Sequence, residues 1–282
     1  MVECDAKLLR RSLCRIEVCY RGRFLNRLNE SPRKHWFDVS VSGCCSVNIM
    51  LGEGPRSSIM AIIPALNEEE GIGLTIEELR HYLDNARVLV VDGRSVDRTV
   101  EIAKGLDADV ILQAGKGKGD AIACAIREVK GDFDYVVLTD ADYTYPAEFV
   151  PRMIKILDEN PKVGMVCGNR FNAHFHLEGM KNTFYMGNRL LAFTHTMLNG
   201  VDLRDPLTGL RVLRWEILKG WTPKSKGFDI EVELNHRVER RGFGIREIEI
   251  PYRPRLGKKK LKLRHGLSIA RRIVLESLNV HA

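Results

Sequence analysis

From residue 58 onward short apolar runs alternate with amphipathic stretches, and that rhythm constrains the fold more than any other feature. "IMAIIPAL" is a compact apolar run with a proline near its end, the pattern of a strand buried on both faces. "EEEGIGLTIEELRHYLDN" follows, with Ile72, Ile76, Leu79 and Leu83 at helical spacing. Then come "ARVLVVDG", "SVDRTVEIAKGL", "ADVILQAG", "GDAIACAIREVKG" and "DYVVLTDAD", which read as strand, helix, strand, helix and strand. Such alternation predicts βαβ units with right-handed crossovers: an α/β fold whose mostly parallel central sheet is flanked by helices. Ligands of these sheets bind beyond the carboxyl ends of the strands, so the polar residues there are the candidate site.

The rest of the 282-residue chain sets limits on that reading. A net charge of +7 favours an anionic partner: nucleic acid, a phosphorylated substrate or a membrane surface. No run of eighteen or more apolar residues suggests a transmembrane helix, and "MVECDAKLLRRSLCRIEVCYRGRF" lacks the apolar region of a secretory signal. Seven cysteines, an odd number without zinc or disulfide spacing, point to a reducing, cytosolic compartment. Five of them precede residue 46, in an arginine-rich stretch without strand–helix alternation. Residues 1–57 are therefore expected to be an appendage joined through "LGEGPRSS" to a main domain over 58–265.

The strand ends share one theme. The first carries Pro64, Asn67 and Glu68; the second Asp92, Gly93 and Ser95. The third runs into "AGKGKGDA", and the fourth into Asp140 and Asp142. Each has an ordinary explanation. Asn67, Glu68, Ser95 and Asp97 suit helix starts, and a glycine–lysine loop is often just an exposed loop. It also suits phosphate or ribose at a helix N-terminus, although its spacing is not that of a Walker loop. Asp140 and Asp142, two apart on an extended chain, face the same way, where a turn cap or a divalent metal would account for them. Taken together, four polar strand ends suit a nucleotide and its metal.

These stretches, in the order "IIPALNEEEGI", "VVDGRSVDRT", "GKGDA" and "TDADYTYP", resemble the inverting family-2 glycosyltransferases. "GNRF", "DPLTGLRVL" and "GFDIEVELNHRVERRGFGIREIEIPYRPRLGKKKLKL" extend the resemblance to dolichyl-phosphate mannose synthase and related polyprenyl-phosphate hexosyltransferases. The resemblance implies a GT-A fold, the Rossmann-like fold of nucleotide-diphospho-sugar transferases. It implies that Pro64, Asn67, Glu68, Asp92, Lys118, Asp140 and Arg170 bind the nucleotide sugar. Asp140 and Asp142 would hold Mg²⁺ or Mn²⁺ on the diphosphate. Asp142, Asp205 and Arg211 would serve at the reacting centre, and Arg253 and Arg255 would receive the lipid phosphate. Thr144 stands where relatives often have glutamine, and "VDGRS" keeps one acid where relatives commonly have two.

The implied reaction moves a hexose from a nucleotide sugar of the GDP-mannose or UDP-glucose type to polyprenyl or dolichyl phosphate. An acceptor phosphate is already anionic and needs positioning more than deprotonation, a task suited to arginine. From Arg253 to Arg272 the chain carries ten basic residues and no acid, a field expected to meet a lipid phosphate and a membrane surface rather than nucleic acid. Residues 266–282 read as an amphipathic helix that either packs on the sheet or lies on the membrane. The expected location is the cytoplasmic face, as a peripheral protein. A family-2 enzyme with a sugar-hydroxyl acceptor is the alternative and would need a base, with Asp205, Asp229, Glu231 and Glu233 as candidates. A non-catalytic nucleotide-sugar or nucleic-acid binding protein is the alternative outside enzymes. His174, His176, His195 and His236 lack metal spacing and are expected at the surface or along a cleft; Trp215 and Trp221 are expected to pack.

Overall fold

A computed structural model describes residues 37–41, 45–49, 57–171, 182–200, 202–258, 260 and 263–279. Most of residues 1–57, together with His174 and His176, lies outside them. The chain divides into two units, residues 1–54 and 55–282. In the first, β1 (Phe37–Val41) pairs antiparallel with β2 (Cys45–Ile49), Val39 opposite Val47.

The second unit carries the alternation. It begins with β3 (Ile59–Ala65), α1 (Ile72–Tyr82), β4 (Arg87–Asp92), α2 (Thr99–Gly105), β5 (Asp109–Leu112) and α3 (Lys118–Glu128). It continues with β6 (Tyr135–Leu138), a 3-10 turn at Ala147–Phe149, α4 (Val150–Glu159), β7 (Val163–Asn169) and α5 (Asn182–Asn199). It ends with β8 (Arg211–Arg214), α6 (Trp215–Leu218), α7 (Ile230–Arg240), β9 (Gly244–Glu249) and α8 (Leu263–Asn279). The sheet order is β5-β4-β3-β6-β8-β7-β9, and β8 alone runs antiparallel to its neighbours.

Strand alternation sorts the core into two layers. Ala61, Ile63 and Ala65 of β3 face α1 and α4 through Ile72, Ile76, Met153 and Leu157. Met60 and Ile62 face the other way, against α3, α6 and α7. Helix α1 obeys its sequence period, with Ile72, Ile76 and Leu79 buried. Trp215 is buried and Trp221 packs beside it, as expected. His195 and His236 are the exception: at 0% and 1% exposure they are core residues, not surface ones. Each lies on the inward stripe of its helix, which a search for metal spacing does not detect.

Two topological facts place the site. After β3 the chain adds β4 and β5 on one side and β6 on the other, so a crevice opens where the order switches. Strand β8 pairs Arg211 with Leu138, so its first residue lies at the edge where β6 ends. The segment leading into β8, including Asp205, thereby reaches the same edge. The tail helix starts at Leu263 and buries Ile269 and Ile273 against Val232. It packs on α5 and α7, which answers half of the expectation for that segment.

Candidate active site

A cleft of about 440 Å³ opens beyond β3 and β6. Of the expected residues, Pro64, Glu68, Lys118, Asp140, Asp142, Arg170 and Arg255 line it. The acidic pair lies past the strand, since β6 ends at Leu138 and the chain then turns. Tyr143, between Asp142 and Thr144, has φ +62°, an uncommon left-handed conformation for a non-glycine residue. Asp142 Oδ1 accepts from the Thr144 hydroxyl at 2.6 Å and from its backbone N–H at 3.2 Å. Two glycines permit the close fit. A Cβ on Gly71 would lie 2.7 Å from the Ala141 carbonyl oxygen, and one on Gly209 would lie 2.5 Å from Asp140 Oδ2.

The carboxylates are interleaved with cations. Lys118 donates to Asp140 Oδ1 at 2.6 Å and reaches Glu231 Oε1 at 2.7 Å. Burial works against its ammonium, but Asp140 and Glu231 outweigh that and hold the pKa above that of a free lysine. Arg255 bonds Asp142 through one guanidinium nitrogen and Glu68 through the other. Lys260 adds a contact to Glu68 at 2.9 Å. The paired acids respond oppositely. Burial would raise the Asp140 pKa, but the Lys118 charge dominates and lowers it. Burial raises the Asp142 pKa, Asp140 adds to the rise, and Arg255 offsets it only in part.

That imbalance bears on the expected metal. Burial is the larger cause of the Asp142 shift, and Asp140 beside it supplies a second carboxylate on the same turn, an arrangement that suits a hard divalent cation. No group of three or more metal-type side chains occurs among the described residues. Asp140 and Asp142 would supply two carboxylates, which suits Mg²⁺, an ion held by one or two carboxylates together with phosphate and water.

Other expected residues are not part of the cleft lining. Asp92 is 1% exposed and accepts from the backbone N–H groups of Arg94 and Ser95 at 2.8 and 3.0 Å. Asn67 ties two loops together: its N–H donates to Ser95 Oγ and its Oδ1 accepts from the Val96 N–H, both at 2.8 Å. Asp205, expected along the cleft, is fully buried and grips Arg170 in a fork, 2.6 Å to Nε and 2.8 Å to a terminal nitrogen. Arg170 is what faces the cleft, set among the rings of Tyr145, Phe171 and Tyr252 at 5.9, 5.5 and 5.3 Å. Arg211 is 1% exposed and spends its guanidinium on Pro206 O, Thr208 O and Asn235 Oδ1. It props the turn before β8 from beneath.

Arg253 and Arg255, expected together at the lipid phosphate, point to different places. Arg253 turns out to α1, bonding both Glu78 oxygens at 2.7 and 2.8 Å and lying 4.5 Å over the Tyr143 ring. Arg255 turns into the cleft. Carboxylates on different elements capture each guanidinium, and this overrides the i, i+2 alternation.

The cleft also contains residues that the sequence did not single out. Gln113, just past β5, donates to Gly117 O at 2.9 Å; its strand-end position was the signal that could have found it. Tyr145, whose hydroxyl accepts from the Gly209 N–H at 2.7 Å, and Tyr252 have no comparable signal. Lys260 was visible only within a basic run, and Glu231, named only as a candidate base for a sugar-hydroxyl acceptor, lies in the cleft wall beside Lys118.

Known proteins are similar to this chain in sequence and fold. The dolichyl-phosphate hexose transferase of Haloferax volcanii is 34% identical over 77% of this chain and 92% of its own length. The undecaprenyl-phosphate mannosyltransferase of Micrococcus luteus is 29% identical over 72% of this chain and 87% of its own. Among solved structures, glucosyl-3-phosphoglycerate synthase from Mycobacterium tuberculosis, in complex with Mn²⁺, UDP and glucosyl-3-phosphoglycerate, superposes with a TM-score of 0.61. That pair is 21% identical, covers 79% of this chain and 80% of the other, and supports the fold as GT-A. Residues 60–220 match the family described as Glycosyl transferase family 2. On the β3–β6 crevice, the paired acids and these matches, the chain belongs to glycosyltransferase family 2.

Proposed function

We propose that this enzyme transfers a hexose, with inversion, from a nucleotide sugar to a polyprenyl phosphate. The single observation that carries the reading is the cleft's alternation of Asp140 and Asp142 with Lys118, Arg170, Arg255 and Lys260, which suits two phosphorylated ligands meeting at one point. The polyprenyl-phosphate relatives support the choice of acceptor. An oxygen of the acceptor phosphate attacks the anomeric carbon, the bond from that carbon to the diphosphate breaks, and the nucleoside diphosphate leaves with the electron pair. No proton need be removed from an ionised phosphate, so the site requires no base for it.

Asp140 and Asp142 would hold Mg²⁺ or Mn²⁺, supported by the Mn²⁺ of the mycobacterial enzyme. When bound, the ion neutralises charge on the leaving diphosphate. Lys118 keeps Asp140 ionised and oriented. Arg170, fixed by Asp205, brings a permanent positive charge to the wall. Arg255 and Lys260 enter on the segment after β9, where ammonium and planar fork can grip phosphate oxygens.

The acceptor reading extends to the surface. No helix among the described residues is long and apolar enough to cross a membrane. Helix α5 exposes Leu190, Phe193 and Met197, and α8 exposes Leu267, Val274 and Leu278, with exposed Arg189 and Arg271 among them. Asn188 and His265, on the same two helices, line the cleft, so this apolar and basic face begins at its mouth. We assign it to peripheral contact with an anionic membrane. Free, buried thiols at Cys124 and Cys167 suit the reducing, cytoplasmic side, and the missing aromatic interleaving in the basic run speaks against nucleic acid.

Purified protein would be supplied with polyprenyl phosphate in vesicles, Mn²⁺ or Mg²⁺, and radiolabelled UDP- and GDP-hexoses. Label extracted with the lipid is the expected result. Transfer to simple sugars and none to polyprenyl phosphate would replace the acceptor.

A further inference from the structure

Three acids open helix α7, and their fates differ. Asp229 faces Arg272 at 3.4 Å. Glu233 accepts the backbone N–H groups of Lys224 and Ser225 at 2.7 and 2.6 Å, closing the loop before the helix. Glu231 stands between them, 6% exposed, and belongs to the cleft wall. Its Oε1 is held by Lys118, but its Oε2 is sealed from solvent without a hydrogen-bond partner in the protein. Buried polar atoms are normally satisfied, and an unpaired one in a preorganised site marks a place for a ligand's hydrogen.

The surroundings restrict which hydrogen that is. An ionised carboxylate only accepts, so a phosphate without a proton has nothing to offer and is repelled. The metal ion is already assigned to Asp140 and Asp142, on the other side of Lys118. The nucleobase is expected at the other end of the cleft, beside Pro64 and Glu68 beyond β3, whereas α7 packs across the opposite layer from α1. The donor's sugar hydroxyls remain, and of its two sugars the hexose is the one across the diphosphate from the base. Lys118 couples this position to Asp140, so a sugar held there stays in register with the diphosphate platform. The loop behind Glu231 is rigid too: Gly119 and Asp120 donate their backbone N–H groups to Gly227 O and Lys226 O, each at 3.2 Å.

We propose that Glu231 accepts a hydrogen bond from a hydroxyl of the donor hexose and thereby selects which hexose is transferred. This assignment rests on the transferase reading above and names the part of the donor that is recognised.

The test compares wild type with Glu231→Gln, which keeps the shape, and Glu231→Ala. Calorimetry without acceptor would measure UDP and GDP against UDP-glucose and GDP-mannose, using the pair that wild type turns over. The hexose donor should bind roughly 10- to 100-fold more weakly in the variants, the loss expected for a charged hydrogen bond, while the nucleoside diphosphate changes less than about twofold. Singly deoxygenated donors sharpen the test. Wild type should discriminate against one of them, and Glu231→Gln should lose that discrimination with its melting temperature retained. Unchanged deoxy-sugar discrimination in an active Glu231→Gln, or equal weakening of nucleoside diphosphate and hexose donor, would overturn the assignment. Absence of transfer by wild type from either donor would overturn the transferase reading, and the assignment with it.

Discussion

Asp205→Ala should destabilise the enzyme far more than an average substitution. Asp205 is fully buried, and Arg170 is 7% exposed, so the pair has almost no water to fall back on. The carboxylate receives three bonds from Arg170: the two guanidinium contacts at 2.6 and 2.8 Å and the backbone N–H at 3.1 Å. Burial alone would depress the Arg170 pKa, but Asp205 outweighs it and carries it well above the usual arginine value, so the charge cannot be shed. Removing the acid strands a buried cation among aromatic rings, a loss of about 3–5 kcal/mol. In a domain of this size each kcal/mol moves Tm by about 2–4 °C, which predicts a fall of roughly 6–20 °C. Circular dichroism melting and urea unfolding at constant slope would measure it. Arg170→Met with Asp205→Leu should recover most of the stability, because an apolar pair removes both charges, while donor affinity stays low for want of the Arg170 charge. A single variant within about 2 °C of wild type, or a double variant no better than the single, would refute the reasoning.

Asp142→Asn should reduce transfer by at least about 100-fold while retaining the wild-type melting temperature, and excess EDTA should silence wild type alike; full activity in EDTA would remove the metal from the reading. Burial lowers the His195 pKa to about 3 and the His236 pKa to about 4. Both therefore stay neutral in the folded protein while the unfolded chain binds protons, so their contribution is intact above about pH 6.5 and is lost as pH falls below it. At pH 5.5 this amounts to roughly 1.4 kcal/mol per histidine, and His236→Gln should flatten the mean stability–pH slope between 7.5 and 5.5 by about half a proton. Identical slopes would contradict the burial argument. Leu267→Glu with Leu278→Glu should abolish flotation with anionic vesicles and leave nucleotide-sugar binding unchanged, whereas undiminished flotation would move the membrane contact elsewhere.

The fold was legible because its signals are local. A change of hydrophobic period announces each element, and polar residues after Pro64, Asp92, Gly115 and Leu138 mark the edge where ligands bind. What stayed hidden depends on pairings distant in sequence. Nothing near Asp205 shows that Arg170, 35 residues earlier, will claim it, nor that Glu78 will draw Arg253 away from Arg255 across 175 residues. The insertion of β8 between β6 and β7 is equally silent, because an apolar strand reads the same in either direction. Strand β6 was read through Asp142 but ends at Leu138, and the acidic pair lies in a turn where Tyr143 takes φ +62°.

The antiparallel β8 has a further consequence, for how such an enzyme can diversify. The chain leaves the sheet at the end of β7 and returns at the start of the adjacent β8, with the Gly168 N–H bonded to Leu210 O at 3.0 Å. Departure and return share one hydrogen-bonded seam, so the excursion behaves as a cassette plugged into a fixed socket. Chain closure depends weakly on length, about 0.6 kcal/mol for each doubling, so cassettes of different size can be exchanged at little cost. The excursion contributes Arg170, Asn188 and Leu207 to the cleft, whereas Pro64, Lys118 and Asp140 belong to the socket. The part of the cleft wall that this stretch supplies can therefore change while Pro64, Lys118 and Asp140 stay as they are.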